Sequence, residues 1–213
     1  MIQFTKKCES IVTYYPEKSI LSCGISKWCG GGGLRLGYLL FPKSLDDLKC
    51  KIIQAGSETY SCAPAPIQYA AIDLYSNHEK YISYIDKCSR IFELVNQWCY
   101  TQFNDNNIKC YKADGGFYLY IDFEYYKDLL NNRGINTSVE LCNTLFTETN
   151  VSLLAGKFFG IDEKKLTARF AYVDFDGDYV YNNVDKLTEK NMFEYFPNIV
   201  MGLKLIFGWV NMI

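Results

Sequence analysis

One stretch of the chain gathers residue types that could do chemistry: Gly24-Ile25-Ser26-Lys27-Trp28-Cys29-Gly30-Gly31-Gly32-Gly33-Leu34-Arg35-Leu36-Gly37. Lys27 follows a small-residue turn, a run of four glycines comes next, and Arg35 stands eight residues past the lysine. A lysine held in a tight, partly desolvated turn has its amine pKa lowered, which frees the amine as a nucleophile. A guanidinium suits a phosphate dianion, and glycines let backbone N–H groups approach it closely. A Schiff-base lysine beside a phosphate anchor is the chemistry that these residue types together could do. Taken alone, a lysine is more often a solvated surface residue. Ser26, the glycine run and Arg35 at fixed offsets argue for the chemical reading.

The motif resembles the active-site lysine segment of class I/II aminotransferases, which are fold-type-I enzymes dependent on pyridoxal 5'-phosphate. Tyr14-Tyr15-Pro16-Glu17-Lys18-Ser19-Ile20 is similar to the lead-in to that lysine, and Leu36-Gly37-Tyr38-Leu39-Leu40-Phe41-Pro42 to the strand after it. Gly115-Gly116-Phe117-Tyr118-Leu119 resembles a small-domain strand of the family, with Ala113-Asp114 where a proline usually stands. Arg169-Phe170-Ala171-Tyr172-Val173 resembles the strand that carries the substrate-carboxylate arginine.

The resemblance implies roles residue by residue. Lys27 would hold the cofactor covalently and shuttle the proton between the substrate Cα and the cofactor. Ser26 and Arg35 would bind the cofactor, Arg35 at its phosphate. Arg169 would grip the substrate α-carboxylate in two parallel hydrogen bonds, which a lysine cannot make. Amino acids and 2-oxo acids would be the substrates, a homodimer the full-length form and the cytoplasm its location. Two departures stand out: Gly24 replaces a phosphate-binding serine, and Gly31 replaces a larger residue, which should loosen the turn.

The family's carboxylate for the pyridinium nitrogen, its ring-stacking aromatic and its phosphate-binding helix start all precede the lysine. Here only 26 residues do, and the first aspartate is Asp46. The expected fold is therefore a partial large-domain α/β sheet over residues 1–104, followed by a small α+β domain over 105–213. Two functions compete. One is the C-terminal part of an aminotransferase, inactive alone. The other is a non-catalytic remnant that serves as a packing or dimerisation partner.

The elements that must position these residues can be read from pattern. Ser19–Cys23 and Arg35–Phe41 are expected strands flanking the lysine turn. Ser44 should cap a helix whose Leu45, Leu48 and Ile52 share a face. The Ala63-Pro64-Ala65-Pro66 break precedes a short helix over Ile67–Leu74. A long helix over Asn77–Phe103 carries an apolar stripe of Tyr81, Ile85, Cys88, Phe92, Val95 and Cys99. After a turn at Asn104–Asn107, strands are expected at Ile108–Tyr111, Phe117–Phe123, Val151–Leu154 and Leu166–Val173. Helices are expected at Tyr125–Arg133 and Ser138–Thr147, with a terminal helical region broken near Pro197.

Composition narrows the classes. Apolar content of 49% with 22% charged residues fits a globular chain. A net charge of −2 with mixed signs argues against nucleic-acid binding. Nine cysteines, Cys8 among them, include no C-x-x-C pair, and the single histidine is His78, so neither a disulfide framework nor a zinc site is expected. The apolar tail from Asn198 is interrupted by Gly202, Lys204, Gly208 and Asn211, and reads as a packed helix rather than a membrane span. Asp174-Phe175-Asp176-Gly177-Asp178 imitates a phosphatase nucleophile loop, but only 35 residues follow it, and a polar turn explains it better.

Overall fold

The computed structural model describes residues 3–4 and 9–212; Cys8 and Ile213 lie outside the described residues. The chain divides into two compact units, Met1–Asp86 and Lys87–Ile213. The division falls within one long helix, upstream of the Asn104 turn.

The first unit opens with α1 (Ile11–Tyr14), capped by the Ser10 hydroxyl. Strand β1 (Leu21–Gly24) leads into the short helix α2 (Ile25–Trp28), and β2 (Gly37–Leu40) follows the glycine run. β1 and β2 pair antiparallel, with Leu21 opposite Leu40 and Gly24 opposite Gly37. Helix α3 (Asp46–Thr59) has Asp46 and Asp47 in its first turn, where the helix dipole favours them. The expected Ser44 cap is not formed. A 3-10 turn over Lys43–Leu45 precedes the helix, and the Ser44 hydroxyl donates instead to the Glu17 carbonyl. α4 (Ala65–Ser76) starts inside the proline-rich break, with Pro66 in its first turn, where a missing N–H costs nothing.

This unit buries little. Among its described residues, the buried hydrophobic side chains are Ile25 and Ala71. Leu40, Ile53 and Ile72 stay 54%, 62% and 59% exposed, and Leu48 and Ile52 on the expected α3 face are exposed as well. A two-stranded sheet of this kind is marginal without further packing.

The second unit has a proper core. α5 (Ile82–Asp105) carries Ile91, Val95, Cys99 and Phe103 at four-residue intervals, all buried. The stripe is rotated from expectation: Ile91 and Phe103 are buried where Cys88 and Phe92 are only partly so. A four-residue step drifts around the helix, so the buried line follows whichever neighbours pack on it. Strands β3 (Lys109–Cys110) and β4 (Tyr118–Asp122), helices α6 (Lys127–Asn132) and α7 (Ser138–Thr149), then β5 (Leu154–Ala155) and β6 (Thr167–Ala171) follow. The antiparallel sheet has the order β3-β4-β6-β5. Alternation sends Leu119, Ile121, Ala168 and Phe170 into the core, and puts Tyr118, Tyr120 and Arg169 on the other face.

α7 begins with a full capping box, Thr137 with Glu140. α8 (Gly177–Asn182) is capped by Asp176, so the expected polar turn is a helix start. α9 (Met192–Tyr195) and α10 (Pro197–Asn211) complete the unit, and the anticipated break at Pro197 is where α10 begins. Leu203, Ile206 and Val210 of α10 join Leu141 and Leu145 of α7 in the core. The buried Asn96 amide donates to the Tyr172 hydroxyl at 2.9 Å, and that hydroxyl donates to the Gly116 carbonyl, so the polar pair inside the core is satisfied. No helix among the described residues is long and apolar enough to cross a membrane.

Arg133 and the Trp209 indole N–H both donate to Glu148 and hold its carboxyl below the usual range. A depressed carboxyl stabilises the folded state above its unfolded pKa, and that contribution fades as pH falls through the folded value. Glu148→Gln should therefore flatten the acid limb of stability below about pH 4. Denaturant midpoints measured against pH check this, and parallel acid limbs for the two proteins would count against it.

Candidate functional site

The lysine turn is a closed loop. Gly24 pairs with Gly37 across the hairpin, and the Ile25 N–H donates to the Leu36 carbonyl at 3.2 Å. Residues 25–36 are thereby held at both ends, and Ser26, Lys27 and Arg35 all lie within them. The Gly31 N–H donates to the Ile25 carbonyl at 3.1 Å, which folds the glycine run back against α2. A Cβ at Gly31 would meet the Ile25 side chain at 3.1 Å. Gly31 therefore sits closely against Ile25 rather than loosening the turn, since a larger residue there would make the Ile25 side chain shift by a few tenths of an ångström.

Ser26 is half-buried on α2 and Lys27 is exposed on its last turn. Lys27 is exposed, so the first unit does not supply the partial desolvation expected for it. Arg35 ends the 3-10 turn over Gly32–Leu34 in a left-handed conformation, with φ of 54°. Its guanidinium is exposed and donates to the Gly32 carbonyl at 3.0 Å. It also lines an open cleft of about 710 Å³ with Gly37, Ser57, Tyr60, Ser61 and Gln68. Lys27 is not among the residues of that cleft. A guanidinium among serine hydroxyls suits a phosphate group, and an exposed primary amine suits an aldehyde. The residues present thus fit the phosphate and aldehyde ends of pyridoxal phosphate by donor chemistry.

Beneath the turn, Tyr75 stacks at an angle against Trp28, with ring centroids 6.0 Å apart, and edge-on against Tyr38 at 5.3 Å. A hydrogen bond with Cys23, reinforced by burial, pushes the Tyr38 hydroxyl up to about 12, so it stays protonated at neutral pH. These aromatics brace the hairpin. Strand alternation in 37–40 could have flagged Tyr38, but its partner on α4 is 37 residues away in sequence.

Arg169 sits on β6 in the second unit, opposite Tyr120 and diagonal to Tyr118. Its guanidinium carbon lies 4.1 Å from the Tyr118 ring centroid and 5.1 Å from that of Phe159. A planar cation stacked on rings keeps its in-plane N–H fork for hydrogen bonds. The Nε–H is buried and has no hydrogen-bond partner among the described residues. A buried unpaired donor is costly, and such a group calls for an acceptor. The open cleft beside it, about 370 Å³, is lined by Tyr118, Leu119, Tyr120, Phe159, Ile161 and Arg169. The sequence singles out the arginine but not its clamp. Tyr118 is within reach of it, because it sits in the Gly115–Leu119 motif. Phe159 is not, because nothing distinguishes it from Phe158 before the 3-10 turn over Gly156–Phe159 is formed.

The other candidates are structural. His78 is exposed at the start of a 3-10 turn. The eight described cysteines are free thiols. Burial pushes Cys110 up to about 12 and Cys142 to about 11, which keeps both unreactive. No group of three potential metal ligands occurs among the described residues.

The model of the family "Aminotransferase class I and II" matches residues 5–174. The curated Bacillus subtilis protein YugH, named as an aminotransferase, is 25% identical over 144 residues, 68% of this chain and 34% of that protein. Among solved structures, a Methanococcus jannaschii protein described as similar in its active site to kynurenine aminotransferases is 20% identical. It covers 98% of this chain and 47% of its own, with a TM-score of 0.71. Thermotoga maritima aspartate aminotransferase is 19% identical, covering 99% of this chain and 45% of its own, with a TM-score of 0.64. These structural likenesses show the fold, a mixed helix-and-sheet architecture shared with aminotransferases of fold type I. The chain spans about half the length of these solved structures and about a third of the curated relative.

Proposed function

The chain belongs to the class I and II aminotransferase family, and from that premise we propose that it supplies the lysine-bearing half of a pyridoxal-phosphate-dependent transaminase. Amino acids and 2-oxo acids are its substrates. The observation that carries the reading is the closed 25–36 loop, which holds an exposed amine at Lys27 and an exposed guanidinium at Arg35.

Pyridoxal phosphate, when bound, supplies the electron sink that stabilises negative charge at the substrate Cα. Arg35 binds the phosphate, with the Ser26 hydroxyl as a second donor. Arg169 receives the substrate carboxylate in its N–H fork and fixes the orientation of Cα. Lys27 Nζ would move the proton between the substrate Cα and the cofactor, in one direction in each half-reaction. The exposed amine needs a cover that excludes water, which in this reading comes from the half of the fold that the chain does not span. The full assembly is a cytoplasmic homodimer in this reading.

A second reading has support from the first unit. Its exposed apolar surface suits a protein that acts through assembly alone, as a packing or dimerisation partner.

Turnover separates the two. The 213 residues expressed alone are expected to give no amino transfer from any amino acid to 2-oxoglutarate with pyridoxal phosphate present. Assembled with an aminotransferase N-terminal half, in one chain or as a second polypeptide, they should gain it. Turnover by the chain alone would refute the half-site reading. An assembled protein that folds, retains the cofactor and stays inactive would favour the non-catalytic one.

A further inference from the structure

We propose that the Arg169 cleft selects monocarboxylates bearing a flat apolar group, aromatic acids above all, over dicarboxylates, and that Phe159 sets this preference. The inference rests on reading Arg169 as the carboxylate anchor.

The cleft offers one charge. Arg169 is the single cation among its lining residues, and the rest of the surface is aromatic or aliphatic. The nearest basic residue in sequence on the covering turn, Lys157, is engaged by Glu163. The Tyr120 hydroxyl is likewise engaged, 2.8 Å from Thr167 Oγ1. A ligand whose first carboxylate takes the Arg169 fork would therefore press a second carboxylate against Phe159 and Ile161. There it would lose water and meet no cation, which is costly for a charge. An aromatic or branched apolar body meets the opposite situation. Phe159 stands perpendicular to Tyr120, with ring centroids 6.3 Å apart, so the two rings form a corner. Phe159 remains 43% exposed and Ile161 37% exposed. That leaves apolar area beside the anchor for a ligand to cover. Rejection of the wrong ligand comes from the unpaired charge, and preference for the right one from ring contact, so the two effects add.

The test uses the full chain and follows the Arg169 side-chain Nε–H resonance by NMR. The ligands are 3-phenylpropanoate, propanoate, succinate and 3-phenylpropan-1-ol. We expect 3-phenylpropanoate to shift the Nε–H signal and to bind roughly three- to tenfold tighter than propanoate, the gain of one aromatic contact. Succinate should bind no tighter than propanoate, and the alcohol should leave the signal unmoved. Phe159→Ala should reduce the affinity for 3-phenylpropanoate to that for propanoate and leave propanoate unchanged, whereas Phe159→Tyr should retain the preference. Succinate binding tighter than 3-phenylpropanoate, or an unchanged ratio in Phe159→Ala, would overturn the selectivity while leaving the anchor intact. If no acid moves the signal, or Arg169→Gln binds the acids as well as the parent, the anchor itself fails and the selectivity with it.

Discussion

Lys27→Ala is expected to abolish amino transfer in the protein assembled from this chain and the other half of the fold. The loss should reach roughly 10²- to 10⁴-fold or more, the range for removal of a positioned general acid–base. Lys27→Arg should not restore it, because a guanidinium stays protonated and cannot take the Cα proton. Two readouts are needed: turnover with a 2-oxo acid, and the visible absorbance of retained pyridoxal phosphate after gel filtration. Both should fall together, since one amine serves both roles. Arg35→Ala provides the contrast: it should loosen cofactor retention, with turnover recovering at excess pyridoxal phosphate. If Lys27→Ala kept its absorbance and its turnover, the assignment of the 25–36 loop as the reactive site would be wrong.

The second large effect is expected at Gly156→Ala, far from the lysine in sequence. A Cβ at Gly156 would collide with Thr167 Oγ1 and the Tyr120 hydroxyl, and would come within 3.1 Å of the Thr167 backbone carbonyl. Gly156 also begins the turn that carries Phe159 over Arg169. The added methyl must therefore either break the Tyr120–Thr167 bond or push the turn off the sheet. Overpacking of this kind costs about 1–3 kcal/mol. Thermal denaturation should show a lower midpoint, and the Arg169 Nε–H signal should move without ligand. The same substitution made in a Tyr120→Phe, Thr167→Ala background should cost less, because the colliding oxygens are gone and neighbouring sites couple. A variant that melts like the parent with Arg169 undisturbed would show that the turn is not seated by this contact.

The two units differ in how readily their sequences could be read, and the difference is physical. In the second unit, local signals and tertiary environment agree. Thr137 and Glu140 announce α7, Pro197 opens α10, and two-residue alternation in 118–122 separates the core face from the Arg169 face. Each is a short-range rule that the final packing respects. In the first unit, the apolar patterning of α3 and the hairpin was legible, but it does not describe a buried face: Leu48, Ile52 and Leu40 are exposed. Hydrophobic pattern records a surface suited to cover, not what covers it.

The sequence by itself determined the family, through the order and spacing of Lys27, the glycine run, Arg35 and Arg169. It also singled out Lys27, Arg35 and Arg169 as candidates for the chemistry, through their resemblance to the family's motifs. Tertiary structure decided the rest. The hairpin closed residues 25–36 into one loop, and the Gly31–Ile25 approach made that loop tight. The stacking of Arg169 between Tyr118 and Phe159, with its Nε–H left unpaired, joins residues 41 positions apart. No periodicity encodes such a contact. It arises when β4, β6 and the 156–159 turn fold onto one face of a sheet, and strand pairing, not spacing, fixes which side chains meet.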